Sequence, residues 1–187
     1  MERPWLEVAE TILPPGRFLL AASDRGLCRV VFPNETQASF EAWLNEHYPT
    51  YQLRNDQKKR LGPVIEQLQA YFAGHLKEFD LALDLQVTVF QRQVLMRVDQ
   101  IPFGQTTSYG RISKKIGQPH AAQAVGAANG ANPIPVIVPC HRVLGADGHL
   151  TGFGGGLPLK CELLRLEGHH IENNRLQFGD QNQLSLF

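Results

Sequence analysis

Cysteine is scarce in this chain of 187 residues: Cys28, Cys140 and Cys161 are the only three, and no two form a CxxC pair. An odd count at such spacing argues against a disulfide framework and against a cysteine-rich zinc site. Long apolar runs are also missing, and Met1–Trp5 has no signal-peptide core. These absences predict a cytoplasmic protein with no membrane partner, whose thiols stay reduced. An excess of one charge is lacking too, since 18 Lys and Arg balance 18 Asp and Glu. A uniformly basic surface for nucleic acid is therefore excluded, although a local one is not.

What the chain does have is ordinary globular material, 43% hydrophobic and 19% charged, long enough to bury a core as one domain or two small ones. The charge is unevenly spread. Residues 1–85 hold 9 basic and 12 acidic side chains, a net of −3, whereas residues 86–170 hold 8 and 4, a net of +4. Composition changes near Gln86. We therefore expect an N-terminal scaffold domain over 1–85, a domain carrying the chemistry over 86–170, and a polar tail over 171–187. The central block is the one suited to DNA.

In the first block, residues 18–32 read as a β-hairpin turning at Ser23–Gly26. Asn34 or Thr36 can cap a helix to about Tyr48, with Phe40, Trp43 and Leu44 on one face. A charged stretch, Arg54–Arg60, precedes a second helix that stops at Gly74, and Leu81–Leu85 reads as a short strand. This is a small α/β scaffold without recognisable chemistry.

The second block begins with a helix from Phe90, ended by Ile101-Pro102-Phe103-Gly104. Ser108 then caps a short helix over Tyr109–Ile116, Gly117-Gln118-Pro119 turns the chain, and another helix runs from His120 to about Asn129. Two short helices across such a turn form a helix-turn-helix pattern. The second is built of small residues, Ala121, Ala122, Gln123, Ala124, Val125 and Gly126. A smooth surface of this kind fits a minor groove entered for shape rather than base sequence. Arg111, Lys114 and Lys115 are candidate phosphate contacts. Next, Asn132–Val143 contains Val136-Ile137-Val138 between prolines, which predicts a stiff, buried, extended segment. It ends at Pro139-Cys140-His141, so regular pairing would stop where a thiol stands beside an imidazole.

The run Pro139-Cys140-His141-Arg142-Val143, with Asn132 upstream, resembles the signature of the alkylguanine-DNA alkyltransferases. The Phe90-Gln91 start and the Ile101-Pro102-x-Gly104 stop resemble the same family. The resemblance implies a ribonuclease-H-like α/β N-terminal domain and a mainly α, winged-helix-like C-terminal domain. It further implies a suicide DNA repair protein acting on double-stranded DNA, which flips 6-O-alkylguanine out through the minor groove. The alkyl group would move irreversibly, once per molecule, to Cys140, with no cofactor and no metal.

By the same resemblance, His141 would activate the thiol through a water and Glu167 would orient the imidazole, as in a hydrolytic triad. Tyr109 would crowd the target phosphate and donate a proton toward the departing ring, and Asn132 would tie the recognition helix to the Cys140 segment. Val143, Phe153 and Gly154 would line the base pocket, with Gly154 leaving room for alkyl groups larger than methyl. Ala121, Ala122, Gln123, Ala124 and Gly126 would form the DNA-facing helix surface. Two positions depart from the family. Gln123 stands where an arginine usually fills the hole left by the flipped base, and Cys161-Glu162 replaces an acid and a large aromatic.

Two rival readings remain open. A lesion-binding module without transfer is opposed by Cys140 itself, and a cysteine hydrolase lacks any sign of a peptide or ester cleft. Separately, Gln183-Leu184-Ser185-Leu186-Phe187 resembles the peptide with which bacterial repair proteins dock on the DNA sliding clamp, unless the tail folds back on its own core.

Overall fold

Strand β1 (Trp5–Leu13) pairs antiparallel with β2 (Gly16–Ser23), and β2 pairs antiparallel with β3 (Gly26–Val31). The expected hairpin is thus present, extended by a first strand that the sequence had not disclosed. The computed structural model describes residues 5–54 and 59–177. The chain divides into two units, Met1–Gln86 and Val87–Phe187.

In the first unit a short strand, β4 (Gln52–Arg54), lies parallel to β1, giving the sheet order β3-β2-β1-β4. Helix α1 (Gln37–His47) starts where Thr36 accepts from the Ser39 amide, and it packs Phe40 and Leu44 onto Leu6, Leu19, Ala21 and Val31. Helix α2 (Leu61–Phe72) is capped differently: the buried Glu7 carboxylate of β1 accepts from the Arg60 and Leu61 amides. Gly26 sits at φ +143, and a Cβ there would collide with the Ala82 carbonyl, so only glycine fits this crossing. The expected strand over 81–85 is reduced to a single bridge between Leu83 and Leu27. Asp84 explains why it stops: its carboxylate takes Ser23, Tyr48 and Gln86 side chains, which hold it out of a regular ladder.

The second unit opens with α3 (Val89–Asp99). Its start is a capping box, in which Thr88 accepts from the Gln91 amide and the Gln91 side chain accepts from the Thr88 amide. Helix α3 packs against α4 (Tyr109–Lys115) and α5 (Ala122–Gly130), the helix-turn-helix pair. Ser108 caps α4 as expected. Helix α5 begins later than expected, because Ala121 lies outside helical geometry and offers no side chain to cap. The strands β5 (Thr107–Ser108) and β6 (Val143–Leu144) pair in parallel, Thr107 opposite Val143. That pairing sets Tyr109 beside the segment that carries Cys140. Helix α6 (Gly156–Leu166) packs Cys161 and Leu164 on Leu144 and Leu150.

The tail expected from residue 171 does not begin there. Strands β7 (Ile171–Glu172) and β8 (Arg175–Leu176) form a hairpin whose Ile171 and Leu176 complete that same cluster. Asn173 and Asn174, both at positive φ, make its turn. The sliding-clamp peptide expected at Gln183–Phe187 lies outside the described residues.

Candidate active site

The segment before Cys140 is a closed turn rather than the expected strand. Pro135 and Pro139 have no amide donor, so no ladder can run through them. The chain instead folds on itself, with the Val138 amide donating to Ile134 O at 3.0 Å and a lone bridge between Pro135 and Val138. Val136 takes φ +74, a conformation that costs a β-branched residue on the order of 1–3 kcal/mol. Asn132, 7% exposed, holds the turn shut: its amide donates to Val138 O at 2.8 Å and its Oδ1 accepts from the Ile134 amide at 3.0 Å. Cys140, His141 and Arg142 then form one turn of 3-10 helix that leads into β6.

His141 is fully buried, and its Nε2 lies 2.9 Å from Glu167 Oε1. Glu167 ends α6, where Gly168 at φ +89 turns the chain away. Its carboxylate also accepts from Arg142 Nε at 2.9 Å, from Arg142 Nη2 at 2.8 Å and from the Gly104 amide at 3.2 Å. Arg142 donates further to Ile101 O. Burial opposes charge on Glu167, but His141 and Arg142 hold its carboxyl far below the usual range. Burial pushes the His141 imidazole below its ordinary value, and Glu167 only partly opposes this.

Burial also pushes the Cys140 thiol up, opposed by the Asn132 side chain and by the charge of Lys160. The resting pair is therefore a thiol and a neutral imidazole, and the ionic sulfur inferred from sequence is not the resting state. Lys160 is the residue that sequence reasoning passed over. It is completely buried on α6, and its Nζ donates to Val143 O at 2.8 Å and to Thr151 O at 3.3 Å. Burial lowers its ammonium to about 8, with Cys140 and Cys161 opposing. A lysine amid apolar residues of a helix, Leu157, Leu159, Leu163 and Leu164, was the available signal.

The Tyr109 hydroxyl lies 2.8 Å from Thr151 Oγ1, and burial raises its phenol above the usual value. Asn129, also unforeseen, donates from Nδ2 to Cys140 O at 3.2 Å. Val143 is buried, Phe153 half-buried and Gly154 exposed, on the loop that Thr151 and Lys160 secure. Along α5, Gln123 and Ala124 are exposed, while Ala121, Ala122 and Gly126 are partly so; Arg111, Lys114 and Lys115 are exposed on α4. Cys161 is the core thiol expected, with its Sγ 3.7 Å from Asn174 Oδ1. Among the described residues no group of three His, Cys, Asp or Glu could hold a metal ion, and no helix is long and apolar enough to cross a membrane.

Residues 9–85 match the family model of the 6-O-methylguanine DNA methyltransferase ribonuclease-like domain, and residues 89–169 match that of the same family's DNA-binding domain. A methylated-DNA–protein-cysteine methyltransferase of Mycobacterium leprae is 43% identical over 159 residues, covering 84% of this chain and 90% of the relative. The chain belongs to the 6-O-methylguanine DNA methyltransferase family. Another member, from Mycolicibacterium paratuberculosis, is 59% identical over 107 residues; there the match covers 57% of this chain and spans 65% of the relative's length. Among solved members, the OGT of Mycobacterium tuberculosis in complex with DNA is 41% identical with a TM-score of 0.72, covering 87% of this chain and 92% of that one. The Pyrococcus kodakaraensis member, 22% identical with a TM-score of 0.60, shares the fold.

Proposed function

We propose that this chain is a single-turnover repair protein that moves the alkyl group of 6-O-alkylguanine in double-stranded DNA onto Cys140. The observation that carries the reading is the Cys140–His141–Glu167 constellation, with Asn132 at the thiol and Glu167 locked on the imidazole. The Cys140 sulfur attacks the alkyl carbon, forming an S–C bond while the C–O bond breaks and its electron pair leaves on the guanine oxygen. With Nε2 committed to Glu167, Nδ1 is the nitrogen of His141 that takes the thiol proton, relayed through a water. Tyr109 gives a proton toward the departing ring. The product is a thioether, so each molecule reacts once and needs no cofactor or metal. Since the resting thiol is neutral, ionisation belongs to the engaged complex, where Lys160 offsets the new charge.

Helix α5 would enter the minor groove, with Ala121, Ala122, Gln123, Ala124 and Gly126 against the duplex and Arg111, Lys114 and Lys115 on phosphates. The flipped base would sit between Val143, Phe153 and Gly154, and the exposure of Gly154 favours alkyl groups larger than methyl. At the level of fold, the order β3-β2-β1-β4 with β4 parallel to β1 supports a ribonuclease-H-like first unit. The helix pair with its small strands supports a winged-helix-like second unit. A cytoplasmic location fits this chemistry, because thiols stay reduced there. We assign the peptide Gln183–Phe187 to a bacterial sliding clamp, and deleting it should abolish clamp capture in a pull-down. Incubation with a methylated oligonucleotide should add one methyl mass to Cys140 at one equivalent per protein. Transfer by Cys140→Ser, or many lesions cleared per molecule, would overturn the activity.

A further inference from the structure

Asn129 sits at the meeting point of the groups just described. Its residue is 4% exposed and lies on the buried face of α5. The amide nitrogen is committed to Cys140 O at 3.2 Å, which fixes the orientation of the side chain. The same amide lies close enough to the Tyr109 hydroxyl to favour its ionised form. The Tyr109 hydroxyl is itself engaged with Thr151 Oγ1 at 2.8 Å. Asn129 Oδ1, by contrast, is buried without a hydrogen-bond partner among the described residues. A buried acceptor of this kind is costly, and sites of binding are where such groups persist.

The chemistry of the lesion says what could satisfy it. Alkylation at O6 removes the hydrogen from N1, so N1, N3 and N7 are all acceptors. The 2-amino group is then the base's one hydrogen-bond donor. We propose that Asn129 is a specificity-determining residue of this site, its Oδ1 accepting a hydrogen bond from the 2-amino group of the flipped purine. The inference rests on the activity proposed above and names a determinant of its substrate. Through its Nδ2, the same side chain holds the Cys140 backbone while its oxygen reads the base.

The test compares transfer rates from duplexes carrying 6-O-methylguanine or 6-O-methylhypoxanthine, the same base without its 2-amino group. Wild-type protein should favour the amine-bearing lesion, and Asn129→Leu should lower that ratio by about tenfold. Asn129→Asp keeps an acceptor and should keep the preference, although it loses the bond to Cys140 O and reacts more slowly. A merely structural Asn129 predicts that Leu slows both substrates equally, and that result overturns the proposal. So does a wild-type protein indifferent to the 2-amino group, or an Asp variant that loses the preference, which keeps the test decisive if the Leu variant does not fold. Absence of any alkyl mass on wild-type Cys140 would overturn the activity itself and Asn129's part in it. Normal alkylation with an unchanged ratio would remove Asn129 alone.

Discussion

At position 160 a lysine is buried completely, and its cost is set against the sulfur that it faces. Burial alone would leave Cys140 a neutral thiol and a poor nucleophile. The Lys160 charge, held by Val143 O and Thr151 O, opposes that penalty only while the amine is protonated. With Lys160 lowered to about 8, transfer from free benzylguanine should slow above about pH 8, where an ordinary thiol would continue to gain rate. Lys160→Met should remove this alkaline decline and slow transfer at neutral pH about tenfold, the equivalent of one pKa unit. A pH–rate series on both proteins checks it. Gln123 makes a second prediction at this scale. It is exposed on α5 and carries no charge, so it can bond an orphaned partner base but add nothing to the groove's electrostatics. Gln123→Arg should accelerate repair of duplex DNA and leave reaction with benzylguanine unchanged, because only the duplex has a hole to fill.

Among the elements, those with local signals were legible and those defined by distant partners were not. Thr88, Ser108 and Thr36 start helices with their own side chains, so the sequence shows where α3, α4 and α1 begin. Strand β1 was hidden because Glu7, Glu10 and Thr11 break its apolar pattern, and Glu7 is buried only because it caps α2. The turn before Cys140 misled for the opposite reason. Its β-branched run reads as a strand, whereas flanking prolines and the two bonds of Asn132 close it into a loop. Two substitutions separate these kinds of support. Thr88→Ala removes one exposed cap, costing about 1 kcal/mol in urea titration with transfer unchanged. Asn132→Ala breaks two buried hydrogen bonds, costing roughly 2–3 kcal/mol and slowing transfer as the Cys140 turn loosens.

Over the whole molecule, the two units differ in how acid reaches them. In the second unit His141 and His169 are both held below their ordinary value of 6.5, burial being the main cause. The unfolded chain then binds more protons than the folded one as pH drops below that value, so stability is present above it and lost as pH falls. In the first unit the shifted acid is Asp84, lowered from 3.8 by Ser23, Tyr48, Gln86 and Arg25 against the opposing effect of burial. Its contribution survives until pH falls below that range. Hydrogen exchange between pH 7 and 5 should therefore show protection lost in residues 87–177 before residues 5–86. Simultaneous loss in both units would contradict this assignment.

The local order of residues was enough to name the nucleophile, the cap of each helix and the division near Gln86, because each depends on neighbours within a few positions. It could not show that Arg142 and Gly104 share Glu167 with His141, that Lys160 points its charge toward Cys140, or that Asn129 holds the Cys140 carbonyl. Those relations join residues up to 63 positions apart. Hydrogen bonds and burial of charge depend on distance in space, and only the folded chain brings these groups within reach.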